Sequence, residues 1–210
     1  GSVRRVYQLQ TSNITHQTSN SKSQTLSLAL IGAGSFAKLM HVPNLKAMRE
    51  RERVLVVISA TGASARQVAE LLGAEQASTD FEDVLRDANV QAMLISTRHN
   101  LHAAQTIAAA KAGKHIFVEK PLGLTSDECR AVMDAVEAAG VLCAVGFNRR
   151  FSPYAVAAKN ALRSVAGPKQ IVCRVNAGPL PKGHWLLDPT EGGGRLIGEN
   201  FLYDAITGGA

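Results

Sequence analysis

Residues 28–43, "LALIGAGSFAKLMHVP", place two glycines two positions apart, directly after an apolar run and directly before residues at helical spacing. That spacing suits the close approach of a phosphate. Gly32 supplies a tight turn, Gly34 omits the side chain that would block a pyrophosphate, and Ala37 is small enough for helix and strand to pack closely. The N–H groups of Ser35, Phe36 and Ala37 at the helix start then face the phosphates, together with the helix's partial positive charge. A plain strand-to-helix turn would use the same glycines. What favours a nucleotide is the context, a first strand opening a series of strand–helix units.

The tip of the next strand ordinarily selects between two dinucleotides: an acid there bonds the adenosine ribose of NAD, and a basic residue suits the extra phosphate of NADP. "ISATGASAR" has no acid and offers Ser59, Thr61, Ser64 and Arg66. The expected cofactor is therefore NADP or NAD, with NADP favoured, although Arg66 could equally be a solvated helix residue. His99 and His102 form an HxxH pair, but no third ligand stands at a suitable spacing, and no metal is expected. Lys120, taken by itself, is a lysine at a strand end.

These residues need elements to position them. "LSLALIG", "RVLVVISA", "VQAMLIST", "KHIFVEKP" and "VLCAVGFN" read as buried strands. Between them, residues 35–51 (interrupted by Pro43), "SARQVAELLG", "DFEDVLRD", "LHAAQTIAAAKAG" and "TSDECRAVMDAVEAAG" read as helices, with Asp80 and Thr125 or Ser126 as N-caps and Gly73, Gly113 and Gly140 as stops. The alternation predicts an α/β fold, a doubly wound parallel sheet. After Asn148 the pattern weakens to a helix in "SPYAVAAKNALRS", a strand in "KQIVCRVNAG" and Gly- and Pro-rich remainder. The expected organisation is a polar tail or linker over 1–25, a nucleotide-binding domain over 26–147 and a partial second domain over 148–210. The tail is rich in Ser, Thr, Gln and Asn and cannot bury enough surface to offset its ordering entropy. Its lack of acids admits a transit peptide, but it shows no amphipathic Arg-bearing pattern, which favours a linker.

Composition excludes other classes. A net charge of +6 is scattered rather than gathered into a Lys/Arg block with aromatics, so no nucleic-acid partner is expected. No apolar run approaches the roughly 20 residues that cross a bilayer, so no membrane association is expected. Cys129, Cys143 and Cys173 are an odd, widely spaced set, read as buried thiols of a reducing, cytoplasmic setting.

"GAGSFA", "STRHNLHAAQTIAAAKAGKHIFVEKPLGLT" and "VGFNRRFSP" together resemble the glucose–fructose oxidoreductase / inositol dehydrogenase / MocA family over about residues 28–204. "SATGASAR", "RHNLHA", "VNAGPLPKGHW" and "GGGRLIGE" resemble a subgroup fused to a zinc-type alcohol dehydrogenase domain, in which the polar segment would be an interdomain linker. The resemblance implies a Rossmann domain followed by an α/β substrate domain, and hydride transfer between a nicotinamide and a sugar, cyclitol or related polyol. It implies Glu119 near the nicotinamide ribose, Lys120 beside the reacting carbon as proton carrier, and Pro121 fixing the turn that aims Lys120 into the cleft. Thr97 and Asn100 would bond the cofactor, and His102 would pack beneath the site. Of Arg149 and Arg150 at the domain junction, one would face substrate and the other support the hinge. His184 and Trp185, in the irregular stretch, could line the pocket, and Trp185 could equally be a buried packing anchor.

Two departures accompany the resemblance. The family's second signature has a histidine three residues before an aspartate; aligned after Gly192, Gly193 and Gly194, those positions are Leu202 and Ala205, with Asp204 one place early. About 60 residues after the junction are also too few for a large open sheet, whose uncovered edge would invite association into a homo-oligomer. A fragment, a shifted reading frame and a reduced protein that only binds cofactor are the accounts left open. The alternative to an oxidoreductase is accordingly a catalytically silent dinucleotide-binding module.

Overall fold

Successive residues of β1 (Leu26–Ile31) face opposite sides of a sheet, and both sides are apolar. Leu28 and Leu30 enter one core with Val42, Leu45 and Val68, while Ala29 and Ile31 enter a second with Met93, Ile95 and Val118. A strand buried on both faces must be covered by helices on both. The computed structural model, which describes residues 25–163, 165–168, 170, 172 and 178–193, has that architecture.

Beside β1 lie β2 (Glu52–Ile58), β3 (Gln76–Ser78), β4 (Ala92–Ile95), β5 (His115–Val118) and β6 (Cys143–Val145), all parallel, in the order β3-β2-β1-β4-β5-β6. The order reverses between β1 and β4, so the loops leaving these two strands diverge and open a crevice at their carboxyl ends. The helices are α1 (Val42–Ala47), α2 (Gly62–Leu72), α3 (Phe81–Arg86), α4 (His99–Lys111), α5 (Ser126–Ala139) and α6 (Pro153–Arg163). Local chemistry sets their ends. Thr61 and Asp80 accept the N–H groups of Ser64 and Glu82, and Thr125 with Glu128 forms a reciprocal capping box.

The structure differs from the sequence reading in four places. Pro43 does not break a helix but sits in the first turn of α1, where its missing N–H costs nothing. Upstream of it Ala37–His41 is a π-helical turn, and α1 ends at Ala47, short of Arg51. β3 has no apolar run to announce it; it is an edge strand held by the backbone of Val56–Ile58. α4 starts at His99, two residues before the helical pattern begins. The polar segment before Thr25, Cys173, most of the strand expected over 169–178, and the positions Gly194, Leu202, Asp204 and Ala205 lie outside the described residues.

Beyond β6 the packing thins. α6 contains no buried residue, and Tyr154 is 88% exposed. On the α1 side of the sheet an apolar groove of about 680 Å³ lies open over β4–β6, lined in part by Leu94, Phe117, Leu142 and Ala144. No helix among the described residues is long and apolar enough to cross a membrane.

Candidate functional site

Gly32 leaves β1 with φ +102° and donates its N–H to Ile58 O at 2.8 Å. A Cβ here would lie 2.4 Å from the carbonyl oxygen of Ser96, at the end of β4. Glycine is therefore required both by its conformation and by the neighbouring strand. Gly34 is the opposite case: an added Cβ would meet no atom within 4 Å. Ser35 and Phe36 are exposed, no side chain caps the turn that follows, and no acid stands in it. The loop thus presents open space and an uncapped helix start, which fits the pyrophosphate of a dinucleotide. Ala37 is fully buried.

At the tip of β2, Ser59 is partly buried and donates its N–H to Ser78 O. The Thr61 hydroxyl is occupied in capping α2 and bonds Ser64 Oγ at 3.0 Å. Arg66 is exposed on α2 and pairs with no described acid. No carboxylate from the β2 tip stands against a phosphate at this position.

The third part of the site is the turn after β5. Glu119 is buried, its N–H bonded to Ile95 O at 2.9 Å, which brings the end of β5 beside the end of β4. Its carboxylate accepts the Lys120 N–H at 3.3 Å. Gly146, at the end of β6, makes room for it: a Cβ there would lie 2.9 Å from Glu119 Oε2. Lys120 is partly buried and close enough to His99 and His102 to disfavour a charge on either.

The start of α4 supplies two buried histidines. His102 Nδ1 lies 2.7 Å from Pro121 O and Nε2 lies 3.2 Å from Thr97 O. Two carbonyls would favour an imidazolium, yet burial dominates and lowers the pKa of His102. The neutral ring has one N–H to give, and the shorter contact, to Pro121, takes it. His102 thereby ties the Lys120 turn to α4. Burial likewise lowers the pKa of His99, despite Nδ1 facing Gly192 O at 3.0 Å. The Thr97 hydroxyl donates to Gln105 Oε1 at 2.6 Å, so its side chain is already engaged. Among the described residues no group of three or more His, Cys, Asp or Glu converges to hold a metal.

Residues 178–193 fold back over this helix start. Asn100 is exposed and gives its N–H to Glu191 O, Arg98 pairs with the Glu191 carboxylate at 2.7 Å, and Trp185 stands edge-on to His99 at 4.8 Å. The Arg98 guanidinium lies 4.7 Å from the Trp185 ring centroid. His184 accepts the Leu186 N–H and begins the short 3₁₀ turn Trp185–Leu187. Arg149 is exposed in the 3₁₀ turn Asn148–Phe151 beyond β6. The structure therefore gathers the glycine loop, Thr97, Asn100, His102, Glu119, Lys120 and Trp185 around the carboxyl ends of β1, β4 and β5. Arg149, by contrast, is fixed against none of them by an ion pair.

Sequence reasoning passed over His41, Gly146 and Glu191. His41 had a signal, lying four residues after the buried Ala37 and so on one helical face with it. Glu191 had none, because its partners are 91 and 93 residues away.

Comparison with known proteins fits this geometry. The profile of the Gfo/Idh/MocA family, described as an oxidoreductase family with an NAD-binding Rossmann fold, matches residues 26–147. The scyllo-inositol 2-dehydrogenase (NAD(+)) of Bacillus subtilis (strain 168) is 38% identical over 134 residues, 64% of this chain and 39% of that protein. The 1,5-anhydro-D-fructose reductase of Ensifer adhaerens is 31% identical over 182 residues, 85% of this chain and 54% of its own. The crystal structure of a probable dehydrogenase from Thermotoga maritima superposes with a TM-score of 0.61 at 33% identity, covering 66% of this chain and 41% of that one. The chain spans about half, or less, of the length of these relatives.

Proposed function

The chain belongs to the Gfo/Idh/MocA oxidoreductase family, and on that premise we propose that it binds a nicotinamide dinucleotide and transfers hydride to or from a sugar, cyclitol or related polyol, with Lys120 carrying the proton. Residues 26–147 form the cofactor domain in this reading, and 148–210 belong to the substrate domain. The observation that carries it is that the Gly32–Ala37 loop and the Glu119–Lys120 turn both sit against the end of β4, beside the point where the sheet order reverses.

The cofactor would lie with its phosphates on Gly34 and the N–H groups of Ser35, Phe36 and Ala37. The acid-free tip of β2, with Ser59, Thr61 and Arg66, which pairs with no described acid, supports NADP over NAD. The bound nicotinamide supplies the carbon that gives or takes hydride. Lys120 does the remaining chemistry: as a free amine it accepts the hydroxyl proton of a secondary alcohol, and as an ammonium it returns one to a ketone. His99 and His102, kept neutral by burial, add no competing charge beside it. His102 holds the Pro121 carbonyl and so steadies the turn from which Lys120 projects. The free thiols of Cys129 and Cys143 support a reducing, cytoplasmic setting, and the open groove over β4–β6 supports self-association.

The test is a pair of measurements on this chain. NADPH at a hundredfold excess over its dissociation constant is expected to stabilise the fold by about 2.7 kcal/mol, and a larger shift by NADPH than by NADH would settle the cofactor. Lys120→Ala is expected to lower turnover on a polyol or sugar panel by on the order of 10²- to 10⁴-fold, with cofactor affinity little changed. Cofactor binding with no hydride transfer in the unaltered chain would leave only a dinucleotide-binding module. No thermal shift with either cofactor would overturn both readings.

A further inference from the structure

The π-helical turn Ala37–His41 follows the glycine loop. Such a turn inserts one residue into a helix, and these insertions recur at functional sites. Here the result is directional. Ala37, Val42 and Leu45 are buried against the sheet, and the His41 side chain comes inward with them, only 11% exposed. Its imidazole stands edge-on to Phe36 and to Phe117, at centroid distances of 5.5 and 6.1 Å. Phe36 belongs to the glycine loop, and Phe117 lies on β5 two residues before Glu119.

His41 Nε2 approaches Glu119 Oε1 to 3.1 Å, yet off the line of a hydrogen bond, and this buried nitrogen has no other partner among the described residues. The carboxylate it faces is confined. Gly146 closes on Oε2, which also accepts the Lys120 N–H at 3.3 Å. A buried donor or acceptor left unmet is costly, which makes so near a miss hard to explain as packing alone. Contacts beside a group that moves a proton often tighten only in the complex with substrate.

We propose that His41 is a positioning residue: it holds the Glu119 carboxylate and, through that carboxylate's bond to the Lys120 N–H, sets the direction in which Lys120 enters the cleft. The inference rests on Lys120 as the proton carrier. It is independent of which polyol is the substrate.

The test compares His41→Phe, which keeps a ring between Phe36 and Phe117 but deletes its nitrogens, with His41→Gln, which keeps a donor for Glu119. Two readouts are taken on the same proteins: steady-state hydride transfer, and the amide resonance of Lys120 by NMR. In His41→Phe, kcat is expected to fall on the order of 10- to 100-fold with the KM for cofactor nearly unchanged, and in His41→Gln most of the loss is expected to be restored. The Lys120 amide is expected to move in His41→Phe and return in His41→Gln. Equal kcat in wild type and His41→Phe, or a His41→Gln as impaired as His41→Phe, would overturn the inference. If the unaltered chain transfers no hydride, the functional reading fails on its own, and the Lys120 resonance decides for His41: unmoved in His41→Phe, it refutes the positioning role. If His41→Phe does not fold, His41→Leu takes its place under the same criteria.

Discussion

The two ends of the cleft are built differently. The proposed phosphate end is almost entirely backbone: a glycine forced by φ, a glycine opening onto empty space, and an uncapped helix start. The proposed reacting end is side chains packed against side chains, with His99, His102 and Glu119 all buried and Trp185 set edge-on to His99. A phosphate needs only N–H groups and room, which the chain can offer anywhere the backbone turns sharply. Aiming one lysine requires a supporting shell, and that shell comes from widely separated parts of the sequence.

The sharpest way to break this contrast is Gly32→Ala. The new Cβ meets backbone at 2.4 Å and the conformation is left-handed, so the loss is expected to be about 3 kcal/mol or more, read as a lost or strongly lowered melting transition. A variant that melts like the wild type would show that the phosphate end is not fixed by its backbone. Gly34→Val comes next and separates binding from folding. Its side chain enters open space, so stability is expected to change by less than about 0.5 kcal/mol, while the dissociation constant for NADPH rises at least about tenfold, by titration of cofactor fluorescence.

The reacting end should announce itself through pH. Burial lowers the folded-state pKa of His99 and His102 from the ordinary 6.5. Above that value both histidines are neutral in folded and unfolded chains alike, and their contribution is fully present. As pH falls below it the unfolded chain takes up protons that the folded site resists, so stability declines with acid. Urea midpoints are expected to drop from pH 7.5 to 5.5 in the wild type and less in His102→Gln. A parallel drop in both would remove His102 from the account. The smallest effect is expected from Arg98→Ala. Its pair with Glu191 is about half exposed on each side, so the cost is expected below about 1 kcal/mol by urea unfolding. A much larger loss would make residues 178–193 an integral part of the reacting end.

The same contrast explains what could be read from sequence. The parallel sheet and the glycine loop were legible because hydrophobic period and glycine placement are local signals, and "GAGSFA" states its own geometry. The strands and caps followed for the same reason, with Thr125 and Glu128 three residues apart. The assignment proposed for Lys120 came only from family resemblance, since a lysine at a strand end carries no signal by itself. The clasp of Glu191 and Gly192 on α4 could not be found at all. Nothing near Arg98 or His99 indicates partners 93 residues away. β3 escaped because backbone pairing alone holds it.

Trp185 is the only tryptophan in the chain, and it sits where residues 178–193 meet α4. Its emission therefore carries no contribution from any other part of the protein. A protonated imidazole is an efficient quencher of indole at contact, and the rings of His99 and His184 lie 4.8 and 6.0 Å from this one, so its emission follows the packing of residues 178–193 on α4. Excited selectively, the protein reports the state of its own cleft, without a dye and without a label.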